Sequence, residues 1–440
     1  MLMTTDTKNV ESDIQAPKGV YDILPQDPKP QDSWHNIDRW HYVESVIRST
    51  AEHYGFREIR TPIFENTSLF TRGVGESSDI VTKEMYTFDD KGGRSITLRP
   101  EGTAPVARAF IENKLYAQGP LHKFYYIGPM FRYERPQAGR FRQHYQFGAE
   151  AIGNSTPEQD VEMIDMVYTL YIRLGLSGLR FNLNSVGDPE SRKNFREALQ
   201  IYLKPNLEKL SPDSQRRFHI NPLRILDSKS PEDQAIVAKA PSILDHLTEE
   251  SRVHFDKVCR LLTHLEIPYE INSKLVRGLD YYNKTVFEIV AVELGAQNSI
   301  GGGGRYDGLI ETLGGPDLPS VGFATGMERI ILTMIGQNAP FPERPKPLLF
   351  IVPLGEASKE RCFHLLRQLR QMNLAVEMDF SGKKLNNVMS YANQIGARFA
   401  VVIGGEELFS QAVKIKNMTT GTSRQVPIDS LADVLLQIKS

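Results

Sequence analysis

Residues 131–150 read FRYERPQAGRFRQHYQFGAE and place Arg132, Arg135, Arg140 and Arg142 within eleven positions. The stretches on either side, 124–133 and 142–152, are rich in aromatic and β-branched residues, so the segment predicts a long antiparallel hairpin with the charge at its connecting loop. Side chains alternate across a strand. That puts Arg132 and Glu134 on one face, and Arg140, Arg142, His144 and Gln146 together. Four guanidinium groups with few carboxylates nearby suit a polyphosphate, which they grip through forked, charge-assisted hydrogen bonds. A solvent-facing, salt-bridged hairpin is the plain alternative.

Upstream, residues 33–55 carry Trp40, Val43, Val46 and Ile47 at helical spacing and end on a glycine, so they predict a helix. Residues 56–65 follow as a strand that closes on Pro62. Downstream, Pro157 opens a helix capped by Ser155 or Thr156, with Val161, Ile164, Val167 and Tyr171 on its inner face. Residues 186–268 turn charged and proline-bearing, with helical runs such as 251–265, and predict a mostly helical insertion. Strand patterns return at 269–276 and 285–292, and the glycine run 301–304 is expected to be a loop. That run lacks the Lys-Ser/Thr ending of a phosphate-binding P-loop, which leaves a backbone floor beneath a flat ligand or a plain loop. GQNAPFPERPKP (336–347) has the composition of a linker. Beyond it LLFIVP, LAVEMD and FAVVIG alternate with helical stretches, the pattern of a small α/β domain with a largely parallel core. The expected order is a disordered tail (1–16), a core (17–185 and 269–335), the insertion (186–268), a linker (336–347) and a terminal domain (348–440).

A length of 440 residues exceeds one ordinary domain, and 40% hydrophobic with 24% charged residues is the balance of a globular protein. No apolar run reaches membrane-spanning length, and the polar start lacks the apolar core of a signal peptide, so no membrane partner is expected. Cys259 and Cys362, the two cysteines, match no metal or redox spacing. Unpaired thiols in a reducing compartment, the cytoplasm, are the expectation. The net charge of −2 says nothing global about nucleic acid. Residues 346–440 nevertheless hold 12 Lys+Arg against 8 Asp+Glu, a net of +4, which leaves −6 for the remainder. A phosphate-rich partner or an ordinary solvated face would both account for that.

Two further segments concentrate chemistry. LVRGLDYYNKTVFE (275–288) sets Arg277 and Tyr282 beside a glycine turn, and SVGFATGMERI (320–330) runs from a strand with Gly322 and Gly326 into a helix start with Arg329. Glycines there permit close approach of a ligand to backbone.

RTPIFE (60–65), the FRYE…R hairpin and GMER resemble, in order, the three signature motifs of class II aminoacyl-tRNA synthetases. LRPEGT (98–103), LVRGLDYY and GGGRYDG resemble segments particular to the histidyl-tRNA synthetase family, and the likeness runs from Pro17 to the C terminus. The resemblance implies an α+β fold: an antiparallel-sheet catalytic core with a helical insertion near the tRNA acceptor arm, plus a C-terminal α/β anticodon-binding domain. It implies a homodimer that activates L-histidine with ATP to histidyl-adenylate, releases pyrophosphate, and transfers histidine to the 3′ end of its tRNA. Mg²⁺ would assist, and no side chain is singled out as its ligand.

The same resemblance assigns roles. Arg132 would hold the α-phosphate, Arg277 would bridge it to the substrate carboxylate, and Arg140 and Arg329 would hold the β- and γ-phosphates. Both reactants are anions, so such a site must neutralise their repulsion and the charge that grows on the phosphoryl oxygens. Glu134 would orient ATP, and His144 stands where the family has a phenylalanine stacked on adenine. Glu101, Thr103 and Gln146 would accept from the amino group. An imidazole needs a partner at each nitrogen, which Glu150 and Tyr282 supply, with Tyr281 and Tyr306 lining the same pocket. Arg135 and Gln137, at the loop tip, would meet the tRNA acceptor end. Related regulatory subunits that sense histidine tend to lose ATP-site arginines and the terminal domain, whereas Arg132, Arg140, Arg277 and Arg329 are all present here. A non-catalytic tRNA-binding module would leave Glu101, Glu150 and Tyr282 unexplained.

Overall fold

The computed structural model describes residues 14–25, 30–76, 78–135, 139–291 and 299–439. Gln137, most of the expected tail and the end of the strand expected to reach Val292 lie outside them. The chain forms two compact units, Met1–Phe341 and Pro342–Ser440.

The first unit is built on an eight-stranded sheet. In spatial order its strands are Arg57–Glu58, His122–Phe131, Gln143–Ile152, Ser320–Gly326, Ser299–Arg305, Asn283–Ala291, Leu179–Ser185 and Tyr269–Ile271. Only the two outermost pairs are parallel; the inner five pairs are antiparallel. The arginine-bearing hairpin forms as its composition predicts, with Phe131 opposite Gln143 and His122 opposite Ile152. Helices Ile37–His53, Pro157–Arg173 and Glu249–His264 share one apolar core with the sheet, and Trp40, Val43, Ile47, Val161, Ile164, Val167 and Tyr171 are all buried in it. Thr156 is the N-cap of the second helix, with Pro157 at its first position, where a missing N–H costs nothing.

Three expectations change. Residues 56–65 are not one strand. Arg57–Glu58 pairs along the edge of the large sheet, while Phe64–Asn66 joins a separate three-stranded sheet with Ser95–Leu98 and Tyr86–Asp89. Pro62 lies between them with no N–H to offer a ladder. The glycine run is not a loop but most of the central strand Ser299–Arg305. A Cβ on Gly303 would stand 2.1 Å from the carbonyl oxygen of Gly322, and one on Gly302 would stand 2.7 Å from the Arg277 guanidinium. Here glycine serves close packing, which outweighs its poor strand propensity. Finally, the stretch 186–268 is mostly helical but does not pack as one body. Helices Pro189–Leu203, Pro212–Ile220 and Pro231–Val237 enclose their own core of Phe195, Leu199, Phe218 and Val237. Helix Glu249–His264 instead places Phe255, Val258 and Leu262 in the main core.

Three prolines of that stretch start helices. Pro189, Pro212 and Pro231 each sit in a first turn, and Asp188 and Ser211 cap two of those helices through Ser191 N–H and Ser214 N–H.

The second unit has a five-stranded sheet ordered Val376–Met378, Leu349–Pro353, Phe399–Ile403, Ala412–Asn417 and Ser423–Pro427. The first three strands are parallel, as the alternation predicts, and the last two add in antiparallel fashion.

Candidate active site

The inner strands of the large sheet, the start of helix Thr103–Glu112 and the segment 277–282 converge on one cavity. Glu101, Thr103, Arg132, Glu134, Arg140, His144, Gln146, Arg277, Tyr281, Tyr282, Tyr306 and Arg329 all line it. Glu150 lies directly behind, 1% exposed, facing Gly322 across the ladder. A Cβ on Gly322 would fall 1.8 Å from a Glu150 carboxylate oxygen, so that glycine makes room for the carboxyl. Arg135 is not among the lining residues, and Gln137 is outside the described residues.

One set of these residues is acidic and phenolic. The Glu101 carboxylate caps the N-terminus of helix Thr103–Glu112, accepting from the N–H of Thr103 at 2.7 Å and of Ala104 at 2.9 Å. Burial nonetheless pushes its pKa above the ordinary carboxylate range. Glu150 accepts from the Thr103 hydroxyl at 2.7 Å and the Tyr306 hydroxyl at 2.5 Å. Burial outweighs those bonds and carries its pKa up to about 8. Ring centroids of Tyr281 and Tyr306 stand 5.5 Å apart.

Tyr126 belongs to this set and was not singled out from the sequence. A Cβ on either Gly102 or Gly148 would come within 2.2 Å of its ring, so the two glycines clear its place. It pairs with Gly148 across the hairpin, on the same face as Gln146 and Glu150. Alternation would have found it, had the hairpin register been known.

The other set is cationic. Arg132 donates to the Pro100 carbonyl at 2.8 Å, Arg140 to Glu134 at 3.1 Å, and Arg329 to the carbonyl oxygens of Gly139, at 3.1 Å, and of Ser299. Arg277 lies 3.6 Å from Glu288. These four arginines, unlike Glu101, Thr103, Tyr281 and Tyr306, also border an adjoining cavity with Lys229, Lys274 and Glu288. Arginine Nε of Arg277, Oε1 of Gln146 and the hydroxyl of Tyr126 are buried without a hydrogen-bond partner. Buried polar atoms are nearly always paired, so three orphans in one cavity call for a polar ligand.

Arg142 departs from the alternation rule. Its guanidinium lies 4.1 Å from the centre of the Tyr133 ring, and Phe141 lines the cavity instead. Regular strand begins only at Gln143, so the period of two does not reach back to Arg140. His144 lines the cavity, and burial together with Arg132 and Arg329 lowers its pKa to about 3, leaving a neutral ring. Glu328, also unforeseen, accepts from Tyr145 N–H at 2.7 Å and from the Tyr21 hydroxyl, and burial raises its pKa to about 7. No cluster of three or more His, Cys, Asp or Glu side chains able to hold a metal occurs among the described residues.

A sequence model of the family described as Histidyl-tRNA synthetase matches residues 27–330, and one described as Anticodon binding domain matches residues 349–438. The chain is 60% identical over 422 residues to a histidine–tRNA ligase of Protochlamydia amoebophila (strain UWE25), covering 96% of this chain and 99% of that protein. It is 48% identical over 426 residues to the histidine–tRNA ligase of Geobacillus kaustophilus (strain HTA426), covering 96% and 98%. Among solved structures, apo S. aureus histidyl-tRNA synthetase superposes with a TM-score of 0.80 at 39% identity, over 96% of this chain and 99% of that one.

Proposed function

The chain belongs to the histidyl-tRNA synthetase family, and on that premise we propose how its cavity carries out the reaction. The protein is a histidine–tRNA ligase, an aminoacyl-tRNA synthetase that uses ATP. The observation that carries the site assignment is a single cavity that joins a carboxylate–tyrosine set to a four-arginine set.

L-Histidine occupies the first set. Its amino group donates to Glu101, Thr103 and Gln146, whose Oε1 has no other partner. Its imidazole lies between Glu150 and Tyr282, beside Tyr281, Tyr306 and the unpaired hydroxyl of Tyr126. Burial raises the pKa of Glu150 to about 8, close to the range in which an imidazole titrates. ATP lies across the arginines, oriented by Glu134 with adenine against His144. One oxygen of the histidine carboxylate attacks the α-phosphorus, the bond from that phosphorus to the bridging oxygen breaks, and pyrophosphate leaves. Arg132 and Arg277 stabilise the charge that develops between the two anions, and Arg140 and Arg329 hold the departing pyrophosphate. A terminal ribose hydroxyl of the tRNA then attacks the adenylate carbonyl and AMP departs. Glu134 and Glu288, which border the arginines, would hold Mg²⁺ beside the phosphate oxygens, and the ion would offset phosphate charge.

Several coarser features belong to the same proposal. Residues 17–185 and 269–335 act as the catalytic core, 186–268 as the insertion that meets the acceptor arm, with its last helix, Glu249–His264, packed into the core, 336–347 as linker and 348–440 as the anticodon-binding domain, while Arg135 and Gln137 meet the acceptor end. A homodimer through the segment around Pro62 is supported by Ile63 and Phe64, which are 46% and 55% exposed. Cytoplasmic residence fits the free Cys259 and Cys362, and no helix of the described residues is long and apolar enough to cross a membrane.

ATP–pyrophosphate exchange with each amino acid in turn tests the assignment. Histidine alone is expected to support exchange, and only with Mg²⁺. Equal exchange with another amino acid, or none from folded protein, would sink it.

A further inference from the structure

The segment 277–282 brings Arg277, Tyr281 and Tyr282 to the cavity, yet it contains neither helix nor strand. Its hold comes largely from the insertion. Arg224, in the short turn Pro222–Ile225, donates from a terminal nitrogen to the main-chain oxygen of Arg277 at 2.7 Å. Arg192, on helix Pro189–Leu203, donates to the main-chain oxygen of Tyr282 at 3.3 Å. Asn221 donates to the Asp280 carboxylate at 3.2 Å, and from the opposite side Asp280 N–H reaches the Val74 carbonyl at 3.2 Å. Arg224 is itself held. Its side chain is 11% exposed, and its guanidinium lies 3.6 Å from Asp79 and 3.8 Å from Asp227. Arg217 pairs with the same Asp79 at 3.0 Å and donates to the Arg224 carbonyl at 3.2 Å. The two arginine anchors therefore sit at the first and last residues of the segment. Neither lines the cavity in which Glu101, Arg132 and Gln146 meet.

We propose that Arg224, seconded by Arg192, is a positioning residue for histidine activation, holding the main chain of residues 277–282 so that Arg277 and Tyr282 face the reactants. This rests on the histidine-activating reading above. Bonds to main-chain oxygens set where the backbone stands without regard to which side chains it bears. An error of about 1 Å in placing a reacting or charge-stabilising group can cost about a hundredfold in rate. Because both anchors belong to the insertion, any displacement of the insertion is felt at the histidine site.

The test is histidine-dependent pyrophosphate exchange by the full-length protein. Arg224→Met keeps the length of the side chain and removes the donor. It should lower kcat by about tenfold or more and raise KM for histidine at least as much as KM for ATP. Arg224→Lys, which can still donate to the carbonyl, should recover most of the lost kcat. Wild-type kcat and histidine KM in Arg224→Met would overturn the proposal, as would an Arg224→Lys no better than Met. Should Arg224→Met fail to fold, Arg192→Met and Arg192→Lys are judged by the same criteria. Absence of histidine-dependent exchange in the wild-type protein overturns the functional reading and this proposal together. Normal wild-type exchange with an unaffected Arg224→Met overturns this proposal alone.

Discussion

Arg305 and Tyr306 are neighbours in sequence and end in opposite worlds. Arg305, fully buried, spends every N–H: on Asp160, on the carbonyls of Asn154 and Thr156, and on Asp307. The other oxygen of Asp160 meets His254 at 2.7 Å. Burial alone would raise the pKa of Asp160, but the charge of Arg305 and the bonds from His254 and Arg305 outweigh it and bring the pKa below the ordinary range. Tyr306 points into the cavity, where its partner Glu150 is pushed up to about 8 and where Tyr126, Gln146 and Arg277 keep unpaired atoms. Both regions bury charge. The paired one is scaffold, and the unpaired one is built for something that arrives later.

Breaking the paired side should cost the most. Arg305→Met leaves Asp160 buried with His254 alone, and removing one partner of a buried pair costs about 3–5 kcal/mol. Denaturant unfolding of the variant should show that loss, and unchanged stability would mean the network is not scaffold. On the unpaired side, Arg277→Ala should cut the rate of adenylate formation by about a hundredfold or more, the scale of losing one preorganised donor. Its melting temperature should stay near wild type; a variant that unfolds earlier but reacts normally would reverse the contrast.

His144→Ala should raise KM for ATP by about tenfold and leave the histidine constant alone, since stacking on a base contributes roughly 1–3 kcal/mol. With a pKa lowered to about 3, the wild-type ring stays neutral, so ATP affinity should not follow a histidine titration between pH 6 and 8. An alanine variant with normal ATP affinity would point to Phe141 or Phe323, which line the same cavity.

The smallest effect is a difference in sign. Glu150 and Glu328 have pKa values raised from 4.5 to about 8 and about 7. Their contribution to stability is complete below pH 4.5 and is lost as pH rises through those values. Asp188 behaves oppositely. Burial raises its pKa, but bonds from Ser191, Thr248 and Ser251 bring it down from 3.8 to about 2, so its contribution holds above pH 3.8 and fades in acid. The wild-type melting temperature should therefore fall between pH 5 and pH 8, on the order of a few degrees. Glu150→Gln should match wild type near pH 5 and exceed it at pH 8. Parallel curves for the two proteins would remove Glu150 as the cause.

The sequence by itself determined what depends on near neighbours along the chain. The hairpin followed from two aromatic, β-branched runs, and helix Pro157–Arg173 from the spacing of Val161, Ile164, Val167 and Tyr171. The kinds of group in the cavity were legible too, because four guanidiniums and a set of carboxylates and phenols declare the charge of their ligands wherever they end up. Only the tertiary structure decided the rest. Gly301–Gly304 became a central strand because the backbone at Gly322 and the Arg277 side chain press against it. Residues 56–65 split between two sheets because their partners, near Tyr125 and Thr97, lie in different places. Tyr126 entered the site through its cross-strand partner Gly148, and Glu328 through Tyr21 and Tyr145. The hold of Arg224 on Arg277 spans 53 positions. Periodicity is a property of a few consecutive residues, whereas close approach, pairing register and the pKa of a buried carboxyl are set by atoms far off in the chain, which no local pattern encodes.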